Sequence, residues 1–235
     1  MKKCTFKIEI IILLMLFGYL IYPLPGANVL NADIKNTHHD FSGASWSDGE
    51  ICRPCHVPHG ANTDVPNSPL WSHDLTTASH TVYSSNTLNS FPGQPNGRSK
   101  LCLSCHDGTV AVENHINNSG GVWYLDNETW RRGGLGTNLK NDHPISFTYN
   151  SLLANEDGEL HDPSITPSGL GGTIAEDLLE NGSLECSSCH DVHVARKTVP
   201  GCTGCHFSHG YIYGQTLSLR IDNTGSAFCL TCHNK

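Results

Sequence analysis

Methionine is almost missing from this chain. Its two copies are Met1 and Met15, so no residue beyond position 15 can offer a thioether to a metal. All but one cysteine fall in a single spelling. Of eleven, Cys4 stands in the basic N-terminal segment and the other ten fall in five Cys-x-x-Cys-His units, which leaves no thiol for a structural disulfide. Positive charge is scarce too. Fourteen Lys and Arg against twenty-two Asp and Glu give a net −8, the wrong sign for a nucleic-acid-binding face. The longest apolar run, Ile10 to Tyr22, is broken only by Gly18 and covers 13 residues. About 20 are needed to span a bilayer. No P-loop, dinucleotide fingerprint or nucleophile–base triad is spelled anywhere in the chain.

What is present is the repeated unit itself. Its copies are Cys52, Cys55 and His56; Cys102, Cys105 and His106; Cys186, Cys189 and His190; Cys202, Cys205 and His206; and Cys229, Cys232 and His233. Each reads as an attachment site for a c-type haem. Two thiols three positions apart can each form a thioether to one vinyl group of the same porphyrin, and the next residue can reach the iron as proximal ligand. Zinc half-sites and thioredoxin-type redox pairs share the Cys-x-x-Cys core. Five pairs do not divide into four-ligand zinc sites, and neither alternative explains the histidine that always follows. The chain is therefore expected to carry five covalently attached haems.

The absence of methionine then bears on the iron. A His/Met haem cannot be built within the chain after residue 15, whereas fifteen histidines supply five proximal and ten further imidazoles. Two imidazoles per iron are affordable, and they imply comparatively low potentials.

Residues 1–32 are expected to be an export signal. Lys2, Lys3 and Lys7 form a basic start before the apolar run, and small residues mark cleavage near 27 or 32. Removing three lysines and one glutamate with that segment takes −8 to −10. Residues 33–235 are expected to form one haem-ordered unit, with a two-haem part to about 150 and a three-haem part from about 183. The expected fold class is a multihaem cytochrome c: mostly loops, a few short helices packed around haems, and little regular sheet. Short helices are expected at Gly108–Ile116 and Thr173–Glu180, the latter with Thr173 as N-cap and Gly182 as stop. Residues 150–172 read as linker, and the polypeptide is expected to form little core of its own. Trp71, Tyr83 and Phe91 are expected to pack on haem faces, and Arg131 and Arg132 to pair with propionates.

Candidates for the second axial position include His38, His39, His59, His73, His80, His143, His161, His193 and His209. Three of them, His59, His193 and His209, stand three residues after a proximal histidine. That length of backbone, at most about 10 Å, is too short to round a macrocycle. Each should therefore serve a different haem, or none. Pro144 biases His143 toward extended backbone, which fixes the direction of its imidazole.

The segments CRPCHVPHGA, SPLW, SKLCLSCHDGTVAV, NDHPISFTY, LECSSCHDVH and LRIDNTGSAFCLTCHNK resemble the small exported multihaem c-type cytochromes of bacteria. Their usual members carry four haems, matching the units that start at 52, 102, 186 and 229. Here a stretch of roughly 198–213 adds a fifth. The resemblance implies electron transfer by bis-His haems with His39, His59, His143 and His193 as distal ligands, and His209 as a natural fifth. It also implies redox partner proteins or neighbouring copies of the chain as partners, since related tetrahaem cytochromes polymerise into extracellular conducting filaments. The expected function is electron transfer in the periplasm or outside the cell, with no membrane contact except through an uncleaved signal. The alternatives are a monomeric periplasmic shuttle and, less favoured, a reductase with an open coordination position. All five units end in histidine, which counts against the reductase.

Overall fold

A computed structural model describes residues 34–125, 133–194 and 218–234. Turns and bends dominate them, as the frequent glycine, proline, asparagine and serine require. Five short α-helices and one two-stranded sheet stand out among the described residues.

Helix α1, Gly97–His106, carries the second Cys-x-x-Cys-His unit at its C-terminal end. Its start is capped from far along the chain: the Arg98 N–H donates to Glu180 Oε2 at 3.0 Å. A carboxylate there satisfies an orphan donor and suits the positive end of the helix. Gly97 has φ +48°, and a Cβ at that position would lie 3.0 Å from the Glu180 carboxylate. The close approach needs glycine. The buried face of α1 holds Ser99, Leu101, Leu103 and Ser104.

Strand β1, Phe147–Thr148, pairs antiparallel with β2, Ser183–Leu184, placing Phe147 opposite Leu184. Helix α2, Ser151–Asp157, lies just after β1, where linker was expected. The reason is local: the Asn150 side chain accepts the Leu153 N–H at 3.0 Å, and Gly158 closes the helix at φ +73°. Helix α3 is shorter than expected, Ile174–Asp177. Thr173 is its N-cap as expected, reinforced by a capping box with Glu176, but the stop comes at Leu178, ahead of Gly182. The helix expected at Gly108–Ile116 is absent. His115 there forms β-bridges to His73 and Asn118, and the Ile116 N–H donates to Ser72 O at 2.9 Å. The backbone groups that a helix would use internally are paired across to residues 72 and 73.

A polypeptide core does exist. Phe147, Tyr149, Leu153, Ala154, Ile174, Leu178, Leu184 and Phe228 are buried against one another. Each large apolar side chain among them contributes about 1.5–3 kcal/mol of burial. The expectation of little independent core thus understated the segment 145–184. Helices α4, Cys186–Cys189, and α5, Cys229–Cys232, are single turns made of the third and fifth units themselves. Cys189 and Cys232 pack against the rim of this core.

Candidate haem-binding sites

The four described units share one local construction. In the first, third and fifth, the histidine N–H donates to the carbonyl of the first cysteine four residues back, at 2.8–2.9 Å. The second ends α1. A helical turn puts residues i and i+3 on one face, so both thiols of a unit point the same way. The histidine then leaves the turn: His190 and His233 have extended backbone, with ψ 141° and 140°. Once extended, each is caught by an antiparallel bridge, His56 to Trp71, His190 to Leu219 and His233 to Leu160. The His106 carbonyl accepts the Leu135 N–H at 2.7 Å. In the third and fifth units the chain thus turns the histidine out of its helical turn, whereas His106 stays the last residue of α1.

Three of these imidazoles face a second one from a distant part of the sequence. His56 and His193 lie 6.0 Å apart by ring centroid with planes 20° apart. His39 and His106 lie 5.9 Å apart at 54°, and His143 and His233 6.3 Å apart at 74°. It is His39, not the exposed His38, whose ring meets His106. The His193 ring meets the proximal residue of the first unit, not that of its own, consistent with the reach of three residues.

The tautomers suit metal binding. Nδ1 of His56 bonds to Pro69 O at 2.5 Å, that of His106 to Gly133 O at 2.6 Å and that of His143 to Pro144 O at 2.8 Å. A carbonyl can only accept, so Nδ1 carries a proton, and in the neutral ring Nε2 is the nitrogen left with the lone pair. His193 Nδ1 lies 2.9 Å from Asp191 Oδ1. Burial, followed by the neighbouring rings of His106, His38, His190 and His193, pushes His39 down to about 3. Burial also lowers His106, with partial compensation from Gly133 and Asp107. Both shifts favour the neutral ring, the form that binds a metal.

These residues fit haem c. A metal held from opposite sides by two ring nitrogens at about 2 Å each places the centroids roughly 6 Å apart, as the three pairs are. Trp71 Nε1, Ser72 Oγ and His115 Nε2 are buried without a partner beside the first two units. Such orphans are rare in a finished protein and suit the polar edge of a bound group. Among the described residues no three His, Cys, Asp or Glu side chains converge as a bare metal ion would require.

The second and third units are locked together. Ser99 Oγ donates to Glu185 Oε2 at 2.5 Å and accepts the Cys186 N–H at 2.8 Å. Ser146 Oγ donates to the same carboxylate oxygen at 2.8 Å. Glu185 is 1% exposed, and burial raises its carboxyl, which the two serines partly offset. Burial pushes Cys55 and Cys232 up to about 11 and raises Cys105 further, with Cys55 a secondary cause at Cys105. The first unit adjoins the second: Cys55 O accepts the Ser72 N–H at 2.9 Å, and Nε2 of the next residue, His73, lies 3.3 Å from Cys105 Sγ.

Other histidines are placed otherwise. His59 is exposed, and among the described residues no aromatic ring is stacked on it. His80 Nε2 is 3.1 Å from Asp107 Oδ2, with both side chains buried. His73 Nε2 lies 3.0 Å from Ala111 O and 3.3 Å from Cys105 Sγ. His161 contributes its backbone, its N–H donating to Cys232 O at 2.8 Å. His115, not singled out by the sequence, is 3% exposed, holds Nδ1 on Glu113 O at 2.8 Å and packs against Trp46. No motif spelling marked it. Phe91 is 92% exposed. The fourth unit lies outside the described residues: the expected thioether cysteines Cys202 and Cys205, the proximal His206 and the distal candidate His209 all fall there. So do Arg131, Arg132 and the N-terminal segment.

Comparison with known families gives one result. Residues 194–235 match the model of the doubled CXXCH motif, a stretch that contains the units starting at 202 and 229. No curated protein matches the chain. The match and the motifs together support a c-type cytochrome-like protein that binds haem c covalently and serves electron transfer in the general sense.

Proposed function

We propose that this chain is a pentahaem electron conduit, each iron held between two imidazoles and none open to substrate. The observation that carries the reading is the set of three ring pairs, His56 with His193, His39 with His106 and His143 with His233. They join residues far apart in sequence at a spacing that suits one metal. The five cysteine pairs, Cys202 and Cys205 among them, would hold the porphyrins. His190 and His206 are then the remaining proximal ligands, with His59 and His209 as candidates for the remaining distal positions.

Haem iron supplies one-electron chemistry, alternating between ferric and ferrous states. The chain's own residues do the rest. Backbone carbonyls at Pro69, Gly133 and Pro144 hold the tautomers, so no proton must leave an imidazole for it to bind. Two protein ligands per metal leave no position for substrate, which favours a conduit over a reductase. The adjacency of the first three units, through Ser72 and His73 on one side and Ser99 on the other, suits transfer between neighbouring haems.

We further propose that the protein is exported and acts in the periplasm or outside the cell, passing electrons to redox partner proteins or to neighbouring copies of itself. Polymerisation into a filament is the favoured arrangement, on the resemblance described above. The exposed His59 is then available to a neighbouring subunit. A monomeric shuttle is the alternative.

Spectroscopy of the oxidised haem-loaded protein tests the first reading: low-spin iron throughout is expected, and a high-spin component points instead to a reductase. Sedimentation and electron microscopy of native exported material test the second. Filaments are expected, and monomers alone would leave a shuttle.

A further inference from the structure

We infer that Asp191 is a positioning residue that lowers the reduction potential of the first haem. The inference rests on the bis-His reading above. His193 faces His56 with nearly parallel planes, 20° apart. The outer nitrogens of the two rings have different partners. His56 Nδ1 donates to the uncharged Pro69 carbonyl, as His106 and His143 donate to Gly133 and Pro144. His193 Nδ1 donates instead to the Asp191 carboxylate at 2.9 Å.

A carboxylate on the far nitrogen draws the Nδ1 proton and makes Nε2 a stronger donor. Outer hydrogen bonding of this kind is one of the levers by which a protein tunes haem iron. Reduction adds one electron and converts ferric to ferrous iron without other bond changes. The stronger, partly anionic donor favours the more positive ferric state, so the midpoint falls. The contact is not a loose surface pair. The same Asp191 oxygen accepts the His193 backbone N–H at 2.9 Å, and the Asp191 N–H donates to Ser218 O at 2.7 Å. Carboxylate and imidazole are thus held in register by the backbone. With the two side chains 47% and 38% exposed, solvent reduces the effect but does not abolish it.

Asp191→Asn tests this well, because the amide oxygen still accepts both N–H groups and only the charge is lost. In a mediated electrochemical titration of the haem-loaded protein, with the electrode supplying the electrons, one midpoint should move to more positive potential and the others stay in place. Asp157→Asn, the same charge change on α2, should move none. Overlaid wild-type and Asp191→Asn titrations, with haem mass and low-spin spectra unchanged, overturn the inference. Should Asp191→Asn fail to accumulate with its haems, Asp191→Ser keeps a short acceptor for the turn and is judged by the same criterion. High-spin iron or fewer haems in the wild-type protein is a different failure and overturns the bis-His reading itself.

Discussion

His39 and His38 are neighbours in sequence with opposite fates. One faces His106 and is pushed down to about 3; the other points to solvent. Replacing His39 with Ala should therefore open one iron and convert one haem from low to high spin, read by electron paramagnetic resonance. His38→Ala should leave the spectrum unchanged. Glu185 gives a pH-dependent test. Its folded carboxyl is raised by burial, so the native state holds a proton that the unfolded state has already released. Stability is then lost as pH rises from the ordinary glutamate range through the folded value. Glu185→Gln keeps an acceptor for Ser99 and Ser146 and removes that loss. Denaturant midpoints at about pH 5 and about pH 8 should differ less than in wild type. Glu185→Ala strands both hydroxyls and should cost about 1–3 kcal/mol.

Among the secondary elements, the short helices depend on caps more than on length. Four-residue α3 has no propagation to stabilise it and relies on the Thr173–Glu176 box. Thr173→Ala should lower stability by about 1 kcal/mol in chemical denaturation, with haem content unchanged. This scale also shows what the sequence made legible. Thr173 announced its helix because a cap is a local signal. Asn150 and Gly158 announced α2 just as locally, but the glycine, proline and serine around them masked the pattern. Gly108–Ile116 misled because its backbone partners are residues 72 and 73, which local reading does not weigh. The Cys-x-x-Cys-His units themselves were legible from spelling alone. The partner of each ring was not, since His56 meeting His193 is set by tertiary folding. The resemblance named His39, His143 and His193, but not which ring each would face.

At the scale of the whole molecule, chemistry is written into the covalent count. On the proposed reading, mass spectrometry of the haem-loaded protein should show an increment of five haems, and an increment of fewer than four would contradict it. Elemental analysis should find iron in the same number and no zinc. The ten motif cysteines should resist alkylation, since on this reading all would be thioethers. Cys202 and Cys205 are the pair to follow, because a peptide carrying them without its haem would reduce the count to four.

The pairing of His56 with His193 has a bearing on how such a molecule is assembled. On the proposed ligation, the first porphyrin is moored by residues that lie within one short stretch, yet its opposite axial residue comes more than half a chain later. A version ending before position 190 should still collect its first two cofactors, but with the earlier iron bare on one side and open to carbon monoxide. Completion of the C-terminal portion would then act as the event that seals the metal against small ligands.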